Sequence, residues 1–308
     1  MRASLGAATL AILLAVSPLA PVRGQSDGHA PTVLVVSPGT RAVGLGEAFV
    51  AGDGPEALFY NPAQIGSRGS SLAFARFGGA ATLGSFSAEG RVAGNNVAFG
   101  VRFLDFGATA GGFPSSAGSL LTRGPVDATS FDAMLAAEKS WFGVRFGGAA
   151  HYVSEQQGGG RAAGVLFDAG MSRGVAGASL GLSVQNAGRA LALGGVVGDP
   201  PTRVTLGGMK EGIVVGTFFD LALAAAVTRE AGGRIVPGAG AELTWEPVAG
   251  WTVTGRLGAR RGDPTGQPGA SPVVFGGSFG LDAITLDYSY QGYHGVAGGA
   301  HWFGVRIR

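Results

Sequence analysis

Apolar and non-apolar residues alternate with a period of two through most of this chain, and no run beyond the first 24 residues is long enough to span a membrane as a helix. In the segment 97–103, Val97, Phe99, Val101 and Phe103 share one face, while Ala98, Gly100 and Arg102 share the other. Phe142, Val144 and Phe146 stand opposite Gly143, Arg145 and Gly147. Leu221, Leu223 and Ala225 stand opposite Asp220, Ala222 and Ala224, and Ile284, Leu286, Tyr288 and Tyr290 opposite Thr285, Asp287 and Ser289. Strands with two unlike faces read this way.

Fourteen such segments follow residue 70: 71–78, 83–90, 96–106, 129–139, 141–154, 161–173, 177–186, 202–209, 217–229, 234–245, 251–260, 272–280, 282–291 and 298–308. Their connections alternate in length. The stretches 107–128, 187–201 and 261–271 are long, whereas the links near Ser140, Gly177 and Gly280 are tight. Long loops at one end and short turns at the other are expected of an outer-membrane barrel, and a β-sandwich has no reason to show them.

Composition agrees. Mean hydropathy is +0.29, yet only 14% of residues are charged and 58 of the 308 are glycine, a poor helix former. A soluble domain needs a more polar surface. A closed barrel in lipid accommodates the same residues by turning every second side chain outward. The expected fold is therefore an all-β transmembrane antiparallel barrel of about 14 strands. A net charge of +2 with scattered arginines gives no basis for nucleic-acid binding. Residues 1–24, with Arg2, the apolar run LGAATLAILLAV and small Val22 and Gly24, are expected to be a cleaved signal peptide. With no cysteine, neither disulfides nor a lipidated N-terminus is expected. The domain reading is signal peptide 1–24, N-terminal segment 25–69 and barrel 70–308.

The segment 25–69 is unlike the rest. Pro55 and Pro62 each open a short helical turn, with Asp53 or Gly54 before the first. Asn61 is placed to cap the second, and Gln64 to reach back. Ionisable residues fall on the less apolar strand face: Glu138, Arg145, Asp168, Arg203, Asp220, Glu242, Arg256, Asp287 and Arg306. In a barrel these face the lumen, and a structural network is their expected role. The histidines His29, His151, His294 and His301 have no metal-ligand spacing, and His151 and His301, each within an expected strand, are expected to be solvated or interfacial. No serine or carboxylate pair is marked out for catalysis, so neither enzyme activity nor a cofactor is expected.

The stretch 39–66, GTRAVGLGEAFVAGDGPEALFYNPAQIG, resembles the N-terminal motif of the PorV/PorQ family of bacterial outer-membrane proteins. Arg41, Ala42, Gly44, Gly46, Ala48, Ala51, Asp53, Ala57, Asn61, Pro62 and Ala63 carry the match; Gly54 and Gln64 depart from it. Later segments, among them VLFDAG, GLSVQNAG, PPTRVTLG and LDYSYQ, follow in that family's order, so the resemblance covers residues 37–308. It implies an architecture related to the FadL-type transporters, with the N-terminal segment folded into the lumen as a hatch. The small residues Gly44, Gly46, Ala48 and Ala51 suit such a crowded interior. Two functions follow from the resemblance: capture of secreted cargo proteins in type IX secretion, or passage of small hydrophobic molecules across the outer membrane. A purely structural barrel is the third reading. Lipid of the outer membrane is the expected partner in all three.

Overall fold

The structure, a computed structural model, describes residues 31–66, 68–78, 81–107, 128–157, 159–193, 196–261, 270–293 and 299–308. The expected signal peptide, His29, His294 and most of the 107–128 loop lie outside the described residues.

Among the described residues there are sixteen strands: β1 (Gly69–Phe77), β2 (Ala81–Val92), β3 (Asn95–Asp105), β4 (Ala128–Trp141), β5 (Val144–Gln157), β6 (Gly160–Val175), β7 (Ala178–Gly188), β8 (Leu191–Leu193), β9 (Val196–Gly198), β10 (Arg203–Val215), β11 (Phe219–Glu230), β12 (Ile235–Val248), β13 (Trp251–Arg260), β14 (Ala270–Leu281), β15 (Ile284–Tyr293) and β16 (Ala300–Ile307). Fourteen pair antiparallel in chain order into a closed barrel, with β10 beside β7 and β16 beside β1. The remaining two, β8 and β9, form a hairpin of their own inside what the sequence presents as a plain 187–201 loop. Each barrel segment matches its expected bounds to within three residues, except that β10, expected to end at 209, runs on to Val215.

One rim is made of tight turns whose chemistry is visible in the sequence. Ala93–Gly94, Phe142–Gly143 and Ala176–Gly177 have φ of 48° and 80°, 48° and 74°, and 50° and 74°. A two-residue hairpin turn that matches strand twist requires positive φ at both positions, which is why glycine stands second. Phe142 therefore projects from a turn tip, 85% exposed, instead of lying on a strand face. The opposite rim carries the longer loops.

The wall's two faces are opposite in character. Outward positions such as Leu72, Phe103, Leu135, Leu223, Leu257 and Leu286 are 57%, 48%, 66%, 47%, 53% and 52% exposed, and they form the continuous apolar exterior that lipid requires. Val101 faces outward with them, and its neighbour Arg102 is buried inward. The lumen is filled. Residues 32–66 lie inside it, with a short helix, α1 (Thr40–Gly44), and three 3-10 turns at Thr32–Leu34, Pro55–Phe59 and Pro62–Gln64.

The seam between β6 and β7 is irregular. Phe167 pairs with Ala187 and Ala169 with Val184, so Asp168 stands opposite two residues of a bulge. Pairing with β7 starts only at Leu166, although β6 runs to Gly160. Among the described residues no strand continues the ladder on that side, and Leu191 of β8 lies against Gly164 instead.

Candidate functional site

The N-terminal segment reverses several times within the lumen. Thr32 N donates to Glu155 Oε2 (2.6 Å) towards the long-loop rim. The chain descends to Arg41, returns to Glu47, which pairs with Arg260, and then reaches the short-turn rim, where Pro55 lies against Gly69. It rises again to Phe59, whose carbonyl accepts from Gln185 Nε2 (2.8 Å), and leaves beside Glu89 at Gly66.

Arg41 is the main clasp. It is 5% exposed and pairs with Glu242 (2.6 Å), Glu211 (2.6 Å) and Asp53 (2.7 Å). From Glu242 the network continues to Arg256, from Arg256 to Asp287 (2.8 Å), and from Asp287 to Arg306 (2.6 Å). Alternating charges satisfy one another, so the desolvation of each is offset by at least one opposite charge, and that of Glu242, Arg256 and Asp287 by two. Glu56, also 3% exposed, sits against Gly39 with its Oε1 unbonded among the described residues. Burial raises its pKa to about 7, against the opposing pull of Arg306.

Asn61 fulfils its cap: Oδ1 accepts from Ala63 N (3.0 Å), and Nδ2 donates to Val50 O (2.8 Å). Pro62 and Ala63 lie directly on Gly147 of β5, and Asn61 on Gly170 of β6, where a β-carbon would collide with them. Gly44 packs on Arg256 and Ser289, while Gly46, at φ 62°, meets the carbonyls of Ala239 and Ala259. Gln64 does not reach back. Its Nε2 donates to Ser179 (3.1 Å) and its Oε1 accepts from Arg145 Nη1 (3.3 Å), because the wall offers closer partners than the turn's own start. Asp53 does not cap the Pro55 turn either, since Arg41 holds its carboxylate.

The expected lumen-facing residues divide. Glu138, Asp168, Glu242, Arg256 and Asp287 are all buried, and Arg145 is half-buried. Arg145 reaches Glu138 (3.3 Å) and donates to Ile65 O (2.5 Å). Asp220 is a correction: it is exposed, because it is the second residue of β11 and lies at the short-turn rim, beyond the packed interior. His151 is another. Far from being solvated or interfacial, it is 1% exposed, with Nδ1 2.8 Å from Asp132 and Nε2 3.2 Å from Asp168. Arg102 completes this group through Asp132 (2.7 Å). Asp168 also accepts from Asn186 N (2.7 Å), so a side chain bridges the bulge where the ladder fails. Asp132 and Arg102 share the inward parity of the residues singled out from sequence; their partnership across strands is what parity alone cannot show. No group of three or more His, Asp or Glu side chains among the described residues is arranged to hold a metal ion.

Towards the long-loop rim the lumen is ionic around Arg260, Glu47 and Glu230 and apolar on the side of β1–β3, β5, β6 and β16. Phe77, Leu83, Leu104, Val153, Leu166 and Trp302 surround Val33, Leu34 and Val36 of the segment. Phe77 and Trp302 meet edge to face at 5.3 Å. Leu191 joins the same cluster, so this compartment reaches the interrupted seam of β6. By contrast, a polar cavity at the same end of the lumen, lined by Glu47, Tyr60, Gln185, Arg203 and Arg260, has a volume of about 20 Å³, room for one water and no more.

Two solved structures share the fold. The chain superposes on one described as "CymD monoaromatic hydrocarbon channel" with a TM-score of 0.55 and 11% identity, covering 88% of this chain and 97% of that one. A Pseudomonas aeruginosa FadL homologue gives 0.54 and 11%, covering 88% and 96%. The fold is that of a FadL-type outer-membrane barrel. At this identity the likeness is one of fold. No family model matches the chain, and no curated protein matches it in sequence. The PorV/PorQ resemblance of residues 39–66 thus rests on its motif. Within the FadL-type barrel, the apolar compartment beside the β6–β7 seam is the candidate site.

Proposed function

We propose that this protein conducts small hydrophobic molecules across the outer membrane, receiving them in the apolar compartment at the long-loop rim. One observation carries the reading: inward apolar side chains, Leu83, Leu104, Val153, Leu166 and Trp302 among them, are gathered at that end into one buried cluster around Val33, Leu34 and Val36. An apolar guest gains about 25 cal/mol for each Å² it removes from water there. Val33, Leu34 and Val36 fill the space in this conformation, so a guest enters as they withdraw.

The seam between β6 and β7 supplies a way out. Leu191 of the β8–β9 hairpin covers Gly164, where the ladder is missing, and both border the compartment. Sideways exit there delivers a hydrophobic molecule to the bilayer without passing the ionic lower lumen. The CymD structure, a monoaromatic hydrocarbon channel, shares this barrel form and accords with the reading. Cargo capture for type IX secretion calls for an open mouth formed by the 107–128 and 187–201 loops. The first is outside the described residues and the second folds partly as β8–β9, so that reading keeps only its motif.

The chain has no cysteine, so a paired Gly164→Cys and Leu191→Cys variant tests the route cleanly. Cells whose outer membrane carries the protein are expected to take up labelled toluene faster than cells without it. The oxidised variant should lose the gain, and a reductant should restore it. Uptake equal to that of cells lacking the protein would sink the proposal. Undiminished uptake through the oxidised variant would sink the sideways route.

A further inference from the structure

On three neighbouring strands the outward side chains change character at one level. Along β1 they run Leu72, Phe74, Arg76 from the short-turn rim towards the long-loop rim. Along β16 they run Ile307, Val305, Phe303, His301, and along β15 Ile284, Leu286, Tyr288, Tyr290. Aliphatic gives way to aromatic, and aromatic to cationic or hydroxyl-bearing. Arg76 stands directly opposite His301, and His301 opposite Tyr290, so the three form one row across the wall. With strands about 4.8 Å apart, that row spans roughly 10 Å.

The row is organised. Tyr288 Oη and His301 Nδ1 are 2.9 Å apart, and the Tyr290 ring lies 5.0 Å from the imidazole. When Tyr288 donates to Nδ1, the ring proton of His301 stands on Nε2 and is free to donate outward. Arg76 is exposed, and among the described residues its guanidinium has no ion pair or hydrogen bond. Asp105 of β3 is the acid on the same face; Thr82 of β2 separates it from Arg76, and its Oδ1 is bonded to Gly107 N (2.8 Å).

An arginine facing lipid costs about 2–4 kcal/mol at the midplane and little at the interface, which places this level among the headgroups. We infer that Arg76, His301 and the Tyr290 hydroxyl form a binding site for the phosphate of an anionic lipid in the leaflet at the long-loop rim, with Tyr288 holding the imidazole. The guanidinium takes phosphate through paired N–H donors, His301 and a tyrosine hydroxyl add further donors, and the apolar columns below hold the acyl chains. The site stands apart from the transport reading and survives its failure.

The test uses the full chain in detergent, with diphosphorylated lipid A, the same lipid after phosphatase treatment, and inorganic phosphate as three probes, read by native mass spectrometry. The phosphorylated lipid is expected to bind about tenfold more tightly than the dephosphorylated form, and Arg76→Gln to remove most of that preference. Arg76→Lys should retain part of it. Arg229→Gln, which removes another outward arginine at the same rim, should leave it unchanged. Heat-modifiable migration on a gel confirms that each variant is folded, and His301→Gln gives a second reading of the site should Arg76→Gln fail to fold. Equal binding of the two lipid forms overturns the site, as does equal loss in Arg229→Gln. Saturation by inorganic phosphate at the same concentration would make it an ion site and overturn the lipid.

Discussion

Arg41 and Glu242 lie 201 residues apart in sequence and are joined inside the barrel by three hydrogen bonds, from Nε to Oε1 at 2.9 Å and to Oε2 at 3.1 Å, and from Nη2 to Oε2 at 2.6 Å. The first belongs to the N-terminal segment and the second to the middle of β12, so this pair ties plug to wall. Arg41→Ala is expected to destabilise the protein by about 3–5 kcal/mol, because Glu242 keeps its charge in a buried site with one partner fewer. Urea unfolding in micelles measures the loss. Limited proteolysis should find residues 32–66 more accessible than in the parent; unchanged protection would show that the clasp is dispensable.

Adjacent glycines on β5 should respond oppositely to the same change. Gly147→Ala places a methyl group into the backbone of Pro62 and Ala63, an overpacking that costs about 1–3 kcal/mol. At Gly148, on the outward face, the nearest atom to such a group is 4.0 Å away, and Gly148→Ala is expected to be near neutral. A thermal melt of both variants settles it. Equal costs would mean that the segment does not press on the wall there.

Val101→Arg is expected to cost about 2–4 kcal/mol for a charge facing lipid near the midplane. Parity alone suggests that Arg102→Val is the milder change. The structure reverses that expectation, since Arg102 holds the buried Asp132 and stacks 5.2 Å above the Phe59 ring. Its loss should cost about 3–5 kcal/mol. Refolding yields into vesicles compare the two.

Stability should also depend on pH through Glu56. Its carboxyl titrates near 7 when folded against an ordinary value of 4.5, so between those values the folded protein binds more proton than the unfolded chain. Stability therefore falls as pH rises from about 4.5 to 7 and then levels, by an amount on the order of 3 kcal/mol. Glu56→Gln should flatten this slope. A slope unchanged in the variant would assign the effect to another group.

Deleting residues 31–66 leaves every wall strand in place and empties the lumen. Reconstituted in planar bilayers and checked by heat-modifiability, the deleted barrel should conduct ions far better than the parent. Equal conductance would mean that something other than the segment closes the lumen.

The strand count and the two faces of the wall were legible because lipid and lumen impose opposite demands at alternate positions. Val101 and Arg102 sit as that pattern requires. Asn61 was legible as a cap because its requirement is local, three residues long. Long-range partnerships were not. Nothing in the spacing of Asp132, His151 and Asp168 shows that three strands bring them together, since register between strands is set by turns and bulges one at a time. Asp220 follows the inward parity yet lies at the rim, because parity gives a face and says nothing of height. The apolar compartment was hidden for a similar reason: its members come one or two from each of many strands.

The wall closes on itself where Ser70 meets Ile307, only a few residues after the segment has left the lumen at Gly66. Inside, that segment turns back on itself at Arg41, Glu47, Pro55 and Phe59, and at Gly147 and Gly170 it touches the wall with no spare room. Plug and wall thus share one packing surface: the segment's reversals are shaped to the inward glycines of β5 and β6, and those bare positions are shaped to the segment.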